Sequence, residues 1–468
     1  MSNPGQSRRA FLMSAAAGAL VLGGGAASGG AGRPRNVLFI SMDDLNDWTG
    51  YQGGHPDVKT PNLDRLAARG TAFTHTYCPA PLCNASRAAL MTGIIPSRSG
   101  VYMNDQDWRK SPVLSEAATL SQHFMANGYS ARGAGKIYHG PFQHPASWQA
   151  YWPSQDTCKP DDPNPPSIPW QGGGAASRHF DWGPLDVDDS AMGDGQVAAW
   201  VSAELSKPRE QPFFLACGIF RPHLPWYAPK KYFDMYPLDE VTLPETRADD
   251  LDDVPAAGRA MARTDSDHKR VVEHDQWRRA VQGYLASISF ADAQVGHVLD
   301  ALDASPHRDD TLVVLWSDHG WHLGEKLHWR KFALWEEATK NGMIFAGSGI
   351  PAGQRCATPV GLIDIYPTLT DLCGLPARDG LDGRSLRPLL EDPAAAWERP
   401  AVTTYGRGNH SARSARWRYI RYADGSEELY DHDADPLEWT NLAGRDELAS
   451  VKADLARWFP ASDADFGL

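Results

Sequence analysis

Two acidic pairs carry the first chemical signal in the chain. Asp43-Asp44 follows the apolar run Asn36-Val37-Leu38-Phe39-Ile40, and Asp318-His319 follows Thr311-Leu312-Val313-Val314-Leu315-Trp316. Hard divalent cations want oxygen ligands, and adjacent aspartates at a strand end offer two carboxylates without a long chain excursion. One such pair alone is more often a solvated turn. Two pairs, each behind an apolar strand, in a chain that also carries the block Cys83-Asn84-Ala85-Ser86-Arg87, reverse those odds in favour of a metal site, and a single His among the ligands leaves calcium, magnesium and manganese all open. A third apolar run, Pro212-Phe213-Phe214-Leu215-Ala216-Cys217-Gly218, leads to Arg221-Pro222-His223 and adds an imidazole at a comparable position.

Continuous apolar runs of this length are what strands covered on both faces look like. In open α/β sheets the ligand site lies beyond the carboxyl ends of the strands, so Asp43, Asp44, Asp318, His319 and His223 are expected at one edge. Helical patterns lie between the runs. Asn62 to Arg69 places Leu63, Leu66 and Ala67 on one face with Asn62 as cap, Ser115 to Asn127 stops at Gly128, and Gln282 to Ala304 carries Tyr284, Leu285, Ile288, Val295, Val298 and Leu299 at helical spacing. The alternation predicts an α/β fold with a mainly parallel central sheet covered by helices on both faces. Pro141 to Gly195, rich in Pro, Gly and Trp, reads as loops over the site, and Pro244 to Arg270 as an exposed acidic excursion. Arg416 to Tyr422, Asp424-Gly425 and Glu427 to Tyr430 read as a β-hairpin with a tight turn. The expected division is a signal peptide over 1–30, a catalytic α/β domain over 34–385 and a small C-terminal α+β subdomain over 386–468.

With 58 Asp and Glu against 45 Lys and Arg, the chain has a formal net charge of −13, which argues against nucleic acid as its main partner. An anionic substrate remains compatible, because a buried metal with a few Lys, Arg and His can supply local positive charge. A hydrophobic content of 42% excludes a wholly disordered chain. Ser7-Arg8-Arg9-Ala10-Phe11-Leu12 and the Ala/Gly/Leu run after it resemble a twin-arginine export signal, cleaved near Ala26-Ala27-Ser28, and no later segment is apolar enough for a membrane span. The expected partners therefore include the twin-arginine export machinery, and the expected location is periplasmic or secreted. Six scattered cysteines do not make a disulfide framework, and Cys217, inside an apolar run, reads as a core thiol.

Cys83-Asn84-Ala85-Ser86-Arg87-Ala88-Ala89-Leu90-Met91-Thr92-Gly93 resembles the signature of the sulfatase family, within the alkaline-phosphatase-like superfamily. The resemblance is closest to the iduronate-2-sulfatase-like group, through Met42-Asp43-Asp44-Leu45-Asn46-Asp47-Trp48, Asn104-Asp105-Gln106-Asp107-Trp108-Arg109 and Ser317-Asp318-His319-Gly320-Trp321-His322-Leu323-Gly324-Glu325. It implies that a maturation enzyme oxidises Cys83 to formylglycine, whose hydrate attacks sulfur. It also implies one Ca2+ per chain on Asp43, Asp44, Asp318, His319 and the modified Cys83. Arg87 would hold the hydrate. Lys136 and His139 in Gly135-Lys136-Ile137-Tyr138-His139, His223 in Arg221-Pro222-His223, and Lys331 in His328-Trp329-Arg330-Lys331 would contact nucleophile or sulfate, with His223 and Lys331 as proton donors and Lys326 a competitor of Lys331. Asn341-Gly342 departs from the family pattern by replacing a rigid Pro at a strand entry. The implied reaction is sulfuric ester hydrolysis on a sulfated carbohydrate, a uronate 2-O-sulfate among the candidates. The alternatives are a phosphonate monoester or phosphodiester hydrolase of the same superfamily and an inactive protein that binds sulfated glycans.

Overall fold

The computed structural model describes residues 36–154, 156–163 and 179–465. The expected export signal lies outside them. A nine-stranded sheet forms the centre. In chain order its strands are β1 (Asn36–Asp43), β2 (Gly70–Tyr77), β3 (Ser130–Gly135), β4 (Ala150–Trp152), β5 (Phe213–Pro222), β6 (Thr311–Ser317), β7 (Lys340–Gly347), β8 (Gln354–Cys356) and β9 (Val360–Gly361). In space they run β8-β2-β7-β6-β1-β5-β3-β4, with β9 also on β2. β1 lies parallel between β5 and β6, whereas β7 is antiparallel to both of its neighbours, one reversed strand in an otherwise parallel sheet.

The apolar runs form central strands because both of their faces are covered. Val37 and Phe39 of β1 pack into one core with Leu90 and Met91 of α2 (Cys83–Thr92) and with Leu120 and Phe124 of the short helix Leu120–Ala126. Leu38 and Ile40 face the opposite core, with Leu63 of α1 (Pro61–Ala68), Val197 of Gly193–Leu205 and Leu285 of the long helix Trp277–Asp303. Period-two alternation along one buried strand thus feeds two cores.

Several expectations need correction. The helix expected from Ser115 begins at Leu120, because Thr119 caps it in a reciprocal arrangement with Gln122. The long helix begins at Trp277, several residues before Gln282. The excursion from Pro244 to Arg270 is packed as well as exposed: it contains the helix Ala256–Ala262, buries Val254 and Ala262, and its Asp250 accepts from Lys326 at 2.7 Å. The stretch from Pro141 to Gly195 also holds paired strands, β4 on β3 and Trp182–Leu185 on Trp226–Pro229. At Asn341-Gly342 the chain bulges, and a Cβ on Gly342 would lie 2.3 Å from the Tyr51 hydroxyl oxygen, so glycine there makes room for that ring. The expected hairpin is present as β12 (Trp417–Arg421) and β13 (Glu427–Asp431), which follow β10 (Ala401–Thr404) and β11 (His410–Arg413) in a four-stranded antiparallel sheet. Its tight turn places Gly425 at φ +85°. All six cysteines are free thiols, and Cys217 is buried.

Candidate active site

β1 ends at Asp43, β6 at Ser317, β5 at Pro222 and β3 at Gly135, so the residues that follow collect beyond one edge of the sheet. Cys83 arrives from the other direction as the first residue of α2, at the positive end of that helix's dipole. Its Sγ lies 3.4 Å from His319 Nε2, 3.0 Å from Lys331 Nζ and 4.0 Å from Asp44 Oδ1. The two acidic pairs, Cys83 and His223 therefore meet, as the strand ends predict. Lys331 Nζ also lies 2.6 Å from Asp44 Oδ1, and Lys136 Nζ contacts Asp43 Oδ2. Lys326, the competitor, is elsewhere, held by Asp250 and the Glu438 carbonyl.

Arg87 is the internal brace. Its Nε donates to Asp318 Oδ2 at 2.8 Å, Nη1 to the carbonyls of Lys136 (2.7 Å) and Ile137 (3.1 Å), and Nη2 to Asp43 Oδ1 (3.2 Å) and the Met42 carbonyl (3.3 Å). Every N–H of the guanidinium is thus engaged by protein oxygens, and Arg87 reaches the acidic pairs directly. It ties the ends of β1, β3 and β6 to α2. Gly135 permits the turn into Lys136: its φ is +79°, and a Cβ there would lie 1.9 Å from the Gly218 carbonyl oxygen.

Burial dominates the electrostatics. It pushes Asp318 up to about 7 against Arg87, with Asp43 adding to the rise, and Asp44 up to about 6 against Lys331. Asp43 is buried too, but Lys136, His223 and Arg87 carry it well below the usual carboxylate range. The Cys83 thiol is driven up by burial and by Asp43. Burial and Lys136 lower His139 to about 3 and His223 well below an ordinary imidazole, while burial and Lys331 lower His319. Two of the histidines are oriented alike. His319 Nδ1 lies 3.0 Å from the Gly320 carbonyl and His223 Nδ1 2.6 Å from the Leu224 carbonyl, which leaves each Nε2 lone pair facing the acids.

A divalent cation fits these residues. Ligating atoms of Asp43, Asp44, Cys83 and His223 lie within 4.8 Å of one another, as do those of Asp43, Cys83, Asp318 and His319. Asp44 Oδ2 is buried without a hydrogen-bond partner among the described residues. A shared donor set with an orphaned carboxylate oxygen is the chemistry a hard cation satisfies.

Other supports were not evident as site residues in the sequence. Tyr284, which helical spacing reads as core packing, donates its hydroxyl to the Asp44 carbonyl at 2.7 Å and accepts from the Asn46 amide at 3.0 Å. It holds Asp44 in the left-handed conformation, at φ +61°. Ser86, inside the cysteine block, donates to the Asp318 carbonyl at 2.6 Å, and Asn84 is pinned by Asn104. A tyrosine in an otherwise aliphatic stripe was the only available signal for the first of these.

A family model described as Sulfatase matches residues 35–375, and one described as N-sulphoglucosamine sulphohydrolase, C-terminal, matches 324–462. A protein of Formosa agariphila named sulfatase is 39% identical over 92% of this chain and 87% of its own length. A choline-sulfatase of Rhizobium meliloti is 32% identical over 88% of this chain and 83% of its own, and the iduronate 2-sulfatase of Mus musculus 29% identical over 73% and 69%. Among solved structures, a protein in complex with its substrate D-glucosamine-2-N,6-O-disulfate superposes with a TM-score of 0.73 at 19% identity, covering 91% of this chain and 96% of that one.

Proposed function

The chain belongs to the sulfatase family, and we propose that it removes sulfate from a sulfated carbohydrate, with a uronate 2-O-sulfate as the leading candidate, using Cys83 converted to formylglycine and one Ca2+ held by Asp43, Asp44, Asp318, His319 and the converted side chain. The observation that carries this reading is the meeting of Cys83 with both acidic pairs, its Sγ 3.4 Å from His319 Nε2 and 4.0 Å from Asp44 Oδ1. That sulfur stands in for an oxygen of the converted residue. The carbohydrate is supported by the name of the iduronate 2-sulfatase relative and by the complex of the structural neighbour.

Formylglycine supplies a geminal diol, with one hydroxyl to attack sulfur and a second to release sulfate afterwards; calcium supplies charge neutralisation at the sulfate oxygens. The remaining work belongs to the chain's own groups. Arg87 fixes Asp43 and Asp318 and thereby the ligand geometry. Lys331, already 3.0 Å from Sγ, and Lys136 lie where they can bind sulfate oxygens, and His139 borders Lys136. His223 directs Nε2 inward, 3.7 Å from Asp44 Oδ2, and is the group to hand a proton to the departing alkoxide. The arriving sulfate anion opposes the lowering that burial and Lys136 impose on that imidazole.

Two substitutions check these roles. Asp318→Asn should weaken calcium binding by about 10- to 100-fold, read by titration calorimetry, and unchanged stoichiometry and affinity would remove Asp318 from the ligand set. His223→Gln should cost about 100-fold on a sugar sulfate but far less on an aryl sulfate, whose phenolate leaves without a proton; equal losses would remove the acid role.

We further infer that the protein is exported by the twin-arginine route after meeting its maturation enzyme, and works in the periplasm or outside the cell. Among the described residues no helix is long and apolar enough to cross a membrane. The deciding experiment is peptide mass spectrometry across residues 78–93 of protein made beside a formylglycine-generating enzyme, followed by paired sulfate and phosphate esters. An intact thiol would point to a glycan-binding protein without catalysis, and a preference for phosphonate or phosphate diesters to the other hydrolase class.

A further inference from the structure

We propose that two tethered cations on the His223 side of the site, Arg330 and Lys159, select sulfate esters whose alcohol carries a second negative charge, a carboxylate or another sulfate, and turn away cationic alcohols. This rests on the hydrolase reading above. Since His223 serves the departing alkoxide there, whatever surrounds its ring meets the alcohol. Its ring packs 4.6 Å from Phe220 and 5.3 Å from the exposed His179, centroid to centroid.

Each neighbour leads to a positive charge. Lys159 Nζ lies 4.8 Å from the Phe220 centroid, and Lys136 Nζ lies 5.1 Å from the same centroid, so a rim cation and a sulfate-site cation share one aromatic platform. On the other side Arg330 Cζ lies 4.7 Å over Phe180, the residue after His179, and Arg330 is the foremost charge acting on His179. Asp162 holds Lys159 at 3.2 Å and is itself fixed by Arg221 at 2.7 Å and by the Gly193 amide at 2.8 Å. Asp267 holds Arg330 through Nε. Each carboxylate faces two cations, Asp162 both Lys159 and Arg221 and Asp267 both Arg330 and Arg270 (3.7 Å), so the pairs pin Lys159 and Arg330 in place and leave a positive surplus on each side.

Arg330 carries the stronger case. Its side chain is 26% exposed, and its terminal nitrogens make no hydrogen bond among the described residues. A guanidinium held at Nε presents the rest of its planar fork to a carboxylate or sulfate. Its backbone sits at φ +79°, with Phe332 at +76°, a conformation that non-glycine residues keep only when the surroundings hold it. Sulfate itself already has Lys136, Lys331 and His223, so these further charges are available to the alcohol. A quaternary ammonium alcohol would meet like charge on both sides.

The test compares kcat/KM of the converted enzyme on a 2-O-sulfated hexuronate disaccharide, choline sulfate and 4-methylumbelliferyl sulfate. The wild type should favour the uronate ester over choline sulfate by about 100-fold or more. Arg330→Gln should lose about tenfold on the uronate ester, chiefly through KM, with a loss within about threefold on the aryl ester and no loss on choline sulfate. Lys159→Gln should act in the same direction, so the conclusion does not depend on one variant folding well. Equal losses on all three esters, or a wild type that prefers choline sulfate, would overturn the rim. Failure of the wild type to hydrolyse any sulfate ester would overturn the hydrolase reading instead.

Discussion

Cys83→Ala should lower turnover of a sulfate ester by at least about a thousandfold while leaving the protein folded. The fold survives because the Sγ contacts are polar ones, to Lys331, His319 and Asp44, and α2 stays anchored by Leu90 and Met91 in the core and by Arg87 and Ser86 at the strand ends. The activity does not survive, because alanine offers no oxygen nucleophile at this position. Cys83→Ser separates two ideas. It restores a hydroxyl but no second one, so it should stall under multiple turnover as completely as alanine. Steady turnover in either variant, measured on protein of unchanged thermal stability, would refute the assignment of the nucleophile.

The second large effect concerns stability. Arg418, on β12, is fully buried: it reaches Glu336, lies 2.5 Å from Glu438 Oε1 and donates to the Leu334 carbonyl at 2.9 Å. Arg413 pairs with Glu336 at 3.2 Å, His432 with Glu438 at 3.0 Å, and the Tyr77 hydroxyl at the end of β2 donates to Glu336 at 2.8 Å. Arg418→Met keeps the length of the side chain but leaves two buried carboxylates short of a partner, at a cost of about 3–5 kcal/mol. The urea midpoint should fall accordingly. A loss below about 1 kcal/mol would show that Arg413 and His432 compensate. Although His432 and the two glutamates could ligate a metal by spacing, the arginines, Tyr77, His432 and the Glu336 amide already satisfy the carboxylate oxygens.

What could be read from the sequence followed burial. β1, β5 and β6 were legible because strands covered on both faces are continuously apolar, and the polar residue that ends each run is also the residue that reaches the site. β2 was not singled out, since Thr71, Thr74 and Thr76 break up its apolar pattern although the strand is almost wholly buried. The reversed β7 carries no local mark of its direction, which is set by its partners. The excursion from Pro244 to Arg270 looked exposed by composition, yet Asp250 is buried because Lys326 neutralises it. The site was visible as a set of motifs, but its bracing was not. Arg87 was expected to serve the nucleophile, and only three-dimensional placement shows its donors on Asp318, Asp43 and the Lys136 peptide.

The position of Cys83 also constrains the order of events in the life of this protein. Its side chain has no solvent-accessible surface, closed in by α2 itself and by the ends of β1 and β6. All ten residues of α2 are buried, so an external modifying enzyme cannot grip the peptide around Cys83 in the native packing. The proposed conversion would therefore precede the docking of α2, on a nascent or still-open polypeptide, and a molecule that folded first would keep its thiol until it unfolded again. Under the proposed export in the native state, that window would close in the compartment of synthesis.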